Sequence, residues 1–226
     1  MNPRAPEASS PLAVGRYSAR RLALDFGGLG IDLLVVNRLE DHVDAEALLR
    51  DANAPAPPYW AHLWTGSRAL ARLMATQIEC AGRRVIDVGC GLGLAGIVAA
   101  KRGAAVTLTD AALDAVRFAR ANAELNGCRV AVLQTDLRCA GVRGRFDYCL
   151  AADVTYDPAL QVGVAAFLAE RLAPGGRAWC SESVRTSDEG FRRACEGHGL
   201  AVTEREAREV EDGRDVWVRI TEVCRA

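Results

Sequence analysis

The sequence predicts a doubly wound α/β domain, and three observations carry that expectation. From residue 83 onward, short β-branched segments alternate with helix-length segments, the pattern of a mostly parallel sheet covered on both faces. The first such segment, Val85-Ile86-Asp87-Val88, runs into Gly89-Cys90-Gly91-Leu92-Gly93 and then an apolar stretch, which reads as a strand-turn-helix unit. The last, residues 215–223, alternates Val216, Val218 and Ile220 after a turn at Gly213, so the sheet is expected to close with an antiparallel hairpin near its edge.

Each element follows from local pattern. Residues 31–36 read as a strand paired with residues 22–26 across Gly27-Gly28, and residues 41–49 read as a helix. A proline-rich linker, residues 54–58, delivers the aromatic cluster Tyr59-Trp60-Ala61-His62-Leu63-Trp64. Strands are expected over 83–88 and 105–109, with a helix between them closed by Gly103. Residues 111–126 form the next helix, with Leu113, Val116, Ala119 and Ala123 at core spacing and Gly127 as its stop. A short strand over 129–134 sets Asp136 just past its carboxyl end. The nearly continuous apolar run 146–152 suits a central strand buried on both faces. A helix over 158–172 stops at the turn Pro174-Gly175-Gly176. A strand over 177–183, a helix over 188–198 halted by Gly199 and a strand over 200–206 complete the alternation.

Composition bounds the function. A chain of 226 residues, half of them hydrophobic, buries one main core. The expected division is a flexible tail over 1–17, an N-terminal extension over 18–80 and the main domain over 81–226. A net charge of -1 with dispersed signs offers no basic stripe for nucleic acid, which is not expected as a partner. The eight cysteines are scattered, with no CxxC and no histidine at metal-ligand spacing, so no metal is expected and they read as small buried thiols of a reduced, cytoplasmic protein. No apolar run is long enough for a bilayer, so no membrane partner is expected, and a monomer is the default.

The glycine run reads as a cofactor site. Gly89, Gly91 and Gly93 lack a Cβ, so they can adopt positive φ and let a ligand approach the backbone. Asp110, at the end of the next strand and about 20 positions on, stands where an acid reaches ribose hydroxyls. Gly91-x-Gly93-x-x-Gly96 also matches a dinucleotide fingerprint, which keeps NAD in view. Asp87 separates the two readings. A carboxylate two residues before the first glycine suits the sulfonium and ammonium of S-adenosylmethionine, whereas a pyrophosphate prefers a neutral nest.

The glycine motif, Asp110, Asn126-Gly127, Phe146-Asp147 and Ala152-Asp153-Val154-Thr155-Tyr156 together resemble the class I, seven-strand S-adenosylmethionine-dependent methyltransferases, with their Rossmann-like sheet. Pro58-Tyr59-Trp60-Ala61-His62-Leu63-Trp64 with Asp153-x-x-Tyr156 is similar to the lysine methyltransferase-like family, in particular the branch acting on the electron-transfer-flavoprotein β-subunit; some members carry nicotinamide N-methyltransferase labels. The resemblance covers residues 55 to about 160. It implies that Gly89, Gly91 and Gly93 border the methionine part of the cofactor with Asp87 near its ammonium, that Asp110 takes the ribose diol, and that Asp136 and Leu137 flank adenine. Ala152 would lie against the cofactor and Trp64 would close over its methionine end. Tyr59 and Trp60 would contact the acceptor, and Asp153 and Tyr156 would orient it. Asp136 also suits a turn cap, and Trp60 and Trp64, four apart, also suit one apolar face packed on the sheet.

The implied activity is methyl transfer to a nitrogen, with a protein lysine as acceptor. The alternatives are a small-molecule acceptor such as a pyridine or amine, an NAD-binding oxidoreductase, and a methyltransferase-like module without catalysis.

Overall fold

A computed structural model describes residues 12–44, 50–51, 56–136, 141–184 and 189–225 of the chain. Its first elements are β1 (Ala13–Val14), β2 (Tyr17–Asp25) and β3 (Gly30–Val36), an antiparallel sheet in chain order. The Gly27-Gly28 turn forms as expected, both glycines at positive φ, and Asp25 Oδ1 accepts the Gly28 N–H at 3.1 Å. Pairing already begins at Ala13, inside the stretch expected to be a tail. The cause is Tyr17, whose buried ring packs edge-on against Trp60 and Phe118. Where a helix was expected over 41–49, the described residues show one 3-10 turn, Leu39–His42, after Arg38 in the left-handed region; residues 45–49 lie outside the described residues.

A second 3-10 turn, Tyr59–Ala61, leads into α1 (Thr65–Thr76), β4 (Arg84–Val88), α2 (Leu94–Lys101), β5 (Ala105–Asp110), α3 (Leu113–Leu125), β6 (Ala131–Gln134) and β7 (Phe146–Ala152). Then come α4 (Pro158–Arg171), β8 (Leu172–Ser183), α5 (Gly190–Gly197), β9 (Leu200–Glu211) and β10 (Arg214–Arg225). The seven strands from β4 to β10 form one sheet in the order β6-β5-β4-β7-β8-β10-β9, parallel except for β10. The strand order reverses between β4 and β7, which opens a crevice at their carboxyl ends.

Both faces are covered, as the apolar strands require. α1, α2 and α3 bury Leu70, Met74, Ile97 and Phe118 against Val85, Leu108 and Leu150, while α4 and α5 bury Val164, Leu168 and Phe191 against Ile86, Cys149 and Cys180. Val116, Ala119 and Ala123 of α3 are buried as expected, but Leu113 is exposed because it opens the helix outside the packed turn.

Two strands differ from expectation. β9 continues five residues past 206, because its charged alternation lies on the open edge of the sheet and carries no apolar signal. Pro174-Gly175-Gly176 does not end the region as a free turn but forms an irregular start to β8. There the register against β7 shifts, and a Cβ on Gly176 would meet the Phe146 and Asp147 carbonyls at 3.0 Å.

Asparagines on α3 tie the hairpin to the domain. Asn122 Oδ1 accepts the Leu34 N–H at 2.6 Å, and its Nδ2 donates to Leu34 O and Leu92 O. One turn on, Asn126 exchanges the same pair of bonds with the Asp32 backbone, at 3.1 and 2.6 Å. The side-chain amides thus substitute for a neighbouring strand along β3. No helix among the described residues is long and apolar enough to cross a membrane.

Candidate functional site

Three acids converge at the carboxyl ends of β4, β5 and β7, each facing the first turn of a helix. Asp87, 2 % exposed, points along the α2 side of β4, where its Oδ2 accepts the Gly96 N–H at 2.9 Å. A Cβ at Gly96 would press on Asp87 and collide with Leu108, so the acid reaches the helix only because residue 96 is glycine. Burial pushes the Asp87 carboxyl up to about 7, with the charge of Asp110 adding to the rise and the Gly96 amide opposing it.

Asp110 ends β5 and clasps the glycine loop. Its Oδ2 accepts the Gly91 N–H and its Oδ1 the Ala112 N–H, both at 2.9 Å. Burial raises its pKa, and the amides of Ala112, Gly91 and Ala111 hold it down. Each oxygen keeps a lone pair free for a ribose hydroxyl. The loop itself turns on Gly89, Gly91 and Gly93, at φ 62°, 52° and 84°. A Cβ at Gly91 would sit 2.9 Å from the Trp60 carbonyl, and one at Gly89 would collide with Val154. The loop is therefore wedged between the aromatic segment before α1 and the segment after β7.

The third acid, Asp153, follows β7 in the left-handed region at φ 52°, and its N–H is held by Ser181 O at 2.7 Å. Its carboxylate lies against Gly66, where any Cβ would collide with it, and the amides of Gly66 and Ser67 in the first turn of α1 lower its pKa. Burial wins over those amides. Together with the charges of Glu182 and Glu211 it pushes the Asp153 carboxyl up to about 7. Asp153 Oδ2 is buried and has no hydrogen-bond partner of normal geometry among the described residues. Next along the chain, Thr155 Oγ1 donates to the buried Glu182 at 3.0 Å, and Gln161 Nε2 donates to Thr155 O at 2.9 Å, fixing the segment that presents Tyr156.

Exposed aromatic rings stand on the segments that flank Asp153 and the start of α1. Trp64 Nε1 donates to Tyr59 O at 2.9 Å, and the Trp64 ring meets the His62 ring edge-on at 4.5 Å and the Tyr59 ring at 6.5 Å. Tyr156 is exposed, and its pKa is raised by partial burial, by Asp157 and by Tyr59. His62 in turn lies 3.4 Å from Glu211 at the end of β9.

The residues named from sequence thus fall into two groups. Asp87, Gly89, Gly91, Gly93 and Asp110 lie together, with Asp136 just past β6 beside the end of β5 and Ala152 at the end of β7; Trp64, Tyr59, Asp153 and Tyr156 form the adjoining mouth. Trp60 lies apart from the mouth rings. Its indole packs on Tyr17 and Phe118 at 5.4 and 5.2 Å, on the side of the hairpin. Leu137 lies outside the described residues. Gly66, Ser67, Val154, Glu182 and Glu211 join the site without having been foreseen. Only Gly66, a glycine at the start of a helix, left a trace in the sequence.

A backbone-lined loop backed by two buried acids fits a cationic ligand. A pyrophosphate would need a neutral nest at this loop, and the buried acid Asp87 behind it does not offer one. The reversed seven-strand sheet with this acid-backed glycine loop defines a seven-strand S-adenosylmethionine-dependent methyltransferase. Residues 59–177 match the model of the methyltransferase small domain, and the chain belongs to that family.

Among curated proteins, the electron transfer flavoprotein beta subunit lysine methyltransferase of Danio rerio is 38% identical over 109 residues, 47% of this chain and 42% of that protein. The ribosomal protein L11 methyltransferase of Geobacter sulfurreducens is 38% identical over 138 residues, 60% of this chain and 44% of that protein. The chain therefore spans less than half the length of these relatives. The fold also matches the magnesium protoporphyrin IX methyltransferase of Synechocystis PCC 6803, solved with bound S-adenosylmethionine, at TM-score 0.59 and 19% identity over 84% of this chain and 88% of that one.

Proposed function

We propose that this methyltransferase methylates a lysine side chain of a protein substrate, with Asp153 taking the proton that the amine must lose. The observation that carries the reading is Asp153 itself: a buried acid with an unpartnered oxygen and a pKa of about 7, near the charges of Glu182 and Glu211, with Tyr59, Trp64 and Tyr156 exposed on the flanking segments. Similarity to a lysine methyltransferase, 38% identical over 109 residues, supports the same choice.

In this reading Gly89, Gly91 and Gly93 with Asp87 hold the methionine end of the cofactor, Asp110 the ribose, and Asp136 the adenine edge. S-adenosylmethionine supplies an activated methyl group on sulfur. The protein contributes alignment, exclusion of water and handling of one proton. An acidic mouth attracts a lysine cation, yet only the neutral amine is nucleophilic. Transfer of its proton from a reference pKa of about 10.4 to Asp153 at about 7 is uphill by about 5 kcal/mol. Desolvation of the ammonium between aromatic rings lowers its pKa by up to about 3–5 units, which closes that gap. Tyr156, at the lip, orients the amine along the line to the methyl group.

The test is transfer of a radiolabelled methyl group into a host lysate. A labelled protein band, abolished by treatment of the enzyme with excess S-adenosylhomocysteine and reduced at least about a hundredfold by Asp153→Ala, is the expected result. Label found only in small molecules would replace the acceptor with a pyridine or an amine. Full activity of Asp153→Ala and Tyr156→Phe on the labelled protein would remove both residues from the mechanism.

A further inference from the structure

A second concave site lies on the face of the sheet away from α1, α2 and α3. Arg84 of β4 pairs with Ala105 of β5, and Thr107 of β5 pairs with Ala131 of β6, so these side chains share one face. It is the α4 face, because Ile86, two residues on from Arg84, is buried with Val164 and Leu168 of α4. On that face α4 and α5 cover β7 and β8, but none of the described residues in the connection from β6 to β7 is helical, and the side chains of β5 and β6 stay open. Leu133 of β6 is 42 % exposed. The result is a cavity of about 360 Å³, floored by Thr107, Ala131 and Leu133 and lined also by Arg84, Arg129 and Arg143.

Three guanidinium groups share this cavity, and among the described residues that line it there is no acid. None of the three forms an ion pair with a described residue, whereas Arg72, Arg177 and Arg208 each meet a carboxylate at 2.7 Å or less. Asp147 of β7 turns its Oδ2 to the Arg84 backbone N–H, at 2.8 Å, and not to the guanidinium. That guanidinium is held in place by other means. It lies over the Phe146 ring, 5.5 Å from the centroid, and against Gly144 at φ 88°, where a Cβ would come within 3.1 Å of its Nη2. The positive charge is therefore fixed, concentrated and unanswered.

We infer that this cavity binds a small phosphate monoester with a compact apolar body, at a site separate from methyl transfer. Charge complementarity within the cavity itself selects the phosphate: a monoester brings roughly 1.5 to 2 negative charges and three acceptor oxygens to three arginine forks, where a carboxylate brings one charge and two oxygens. The volume is at the lower end of the roughly 300–1,000 Å³ of small-ligand pockets, and Ala131, Leu133 and Val142 offer the apolar body a surface beside the guanidiniums. Thr107 and Asp110 stand on opposite faces of β5, so this ligand and the cofactor can be bound together.

The experiment titrates phenyl phosphate into the full chain by calorimetry, with S-adenosylhomocysteine already present to fill the cofactor site. Inorganic phosphate, benzoate and a short single-stranded DNA are titrated in parallel. The expected result is saturable binding of phenyl phosphate, weaker binding of the other three, and a loss of affinity of about tenfold or more for Arg129→Gln and for Arg143→Gln. Arg143→Lys keeps the charge without the fork and should fall between. Unchanged affinity of each variant for S-adenosylhomocysteine checks the fold. No saturable binding of phenyl phosphate by the wild-type chain would overturn the inference. Full affinity in the Arg129→Gln, Arg143→Gln double variant would overturn it too, because the ligand would then sit elsewhere. Benzoate bound as tightly as phenyl phosphate would overturn the choice of phosphate, and inorganic phosphate bound as tightly would overturn the apolar body. DNA bound more tightly than phenyl phosphate would replace the small ligand with a nucleic-acid backbone.

Discussion

Replacing Asp87 by asparagine tests the electrostatic logic of the site most directly. The carboxyl is fully enclosed, and burial lifts its pKa from the usual carboxylate value of 3.8 to about 7. Folding therefore favours the protonated form. Between about pH 4 and pH 7 the folded state binds a proton that the unfolded state has released, so stability falls as pH rises through that window. Three units at about 1.4 kcal/mol each put the cost of the buried charge at about 4 kcal/mol by pH 8. Asp153, also raised to about 7, adds a loss of the same sign over the same window. Asp87→Asn removes one of these contributions while keeping the shape of the side chain. Urea unfolding followed by tryptophan fluorescence at pH 5, 6, 7 and 8 should show a shallower pH dependence for Asp87→Asn and a gain of a few kcal/mol over wild type at pH 8 that shrinks by more than half at pH 5. A ligand carrying positive charge would repay the ionised acid, so wild-type affinity for S-adenosylhomocysteine should rise from pH 6 to pH 8 and that of Asp87→Asn should stay flat. Parallel pH profiles for the two proteins, in stability or in affinity, would refute the assignment.

Other parts of the structure yield further expectations. Gly89→Ala forces a side chain into φ 62° and into Val154; about 1–2 kcal/mol of stability should be lost to the backbone alone, and S-adenosylhomocysteine binding should recover in part when Val154→Ala relieves the collision, as thermal unfolding and calorimetry would register. Asn122→Ala strands the Leu34 N–H, Leu34 O and Leu92 O, so a loss of about 2–4 kcal/mol in urea and faster trypsin cleavage at Arg20 and Arg21 are expected. Arg72→Met leaves the buried Glu209 carboxylate without its cation and should destabilise by roughly 3–5 kcal/mol, whereas Arg72→Met with Glu209→Met should be far milder by the same measurement.

Much of this was legible because the signals are local. β7 was read to the residue, since a strand buried on both faces shows as a nearly continuous apolar run from Phe146 to Ala152. The glycine loop and Asp110 announce themselves by spacing along one strand-turn-helix-strand unit. What stayed hidden depends on partners far away in the chain. The pKa of Asp153 is raised by its burial, with the charges of Glu182 from β8 and Glu211 from β9 adding to the rise, and the Gly66 and Ser67 amides that oppose it come from α1, nearly ninety positions earlier. Trp60 and Trp64 look alike in sequence, yet the 3-10 turn Tyr59–Ala61 sends Trp60 toward Tyr17 and leaves Trp64 at the lip. The far end of β9 was only partly legible for a different reason: an edge strand needs no apolar face at its tip, so the strand was bounded at 206 although a hairpin around Gly213 was expected.

The arrangement of the three acids explains how one small domain tolerates so much buried charge. Asp87 faces the Gly96 amide of α2, Asp110 the Ala112 amide at the start of α3, and Asp153 the Gly66 and Ser67 amides of α1. Each helix start carries roughly half a positive charge, and each brings amides that have no partner within their own helix. Those amides stabilise the carboxylates, but not enough: burial still dominates at all three sites, and all three pKa values are raised. The residual deficit is one of positive charge, and it falls in two places. In the proposed function the cationic end of the cofactor would meet it beside Asp87, and the substrate amine would meet it beside Asp153.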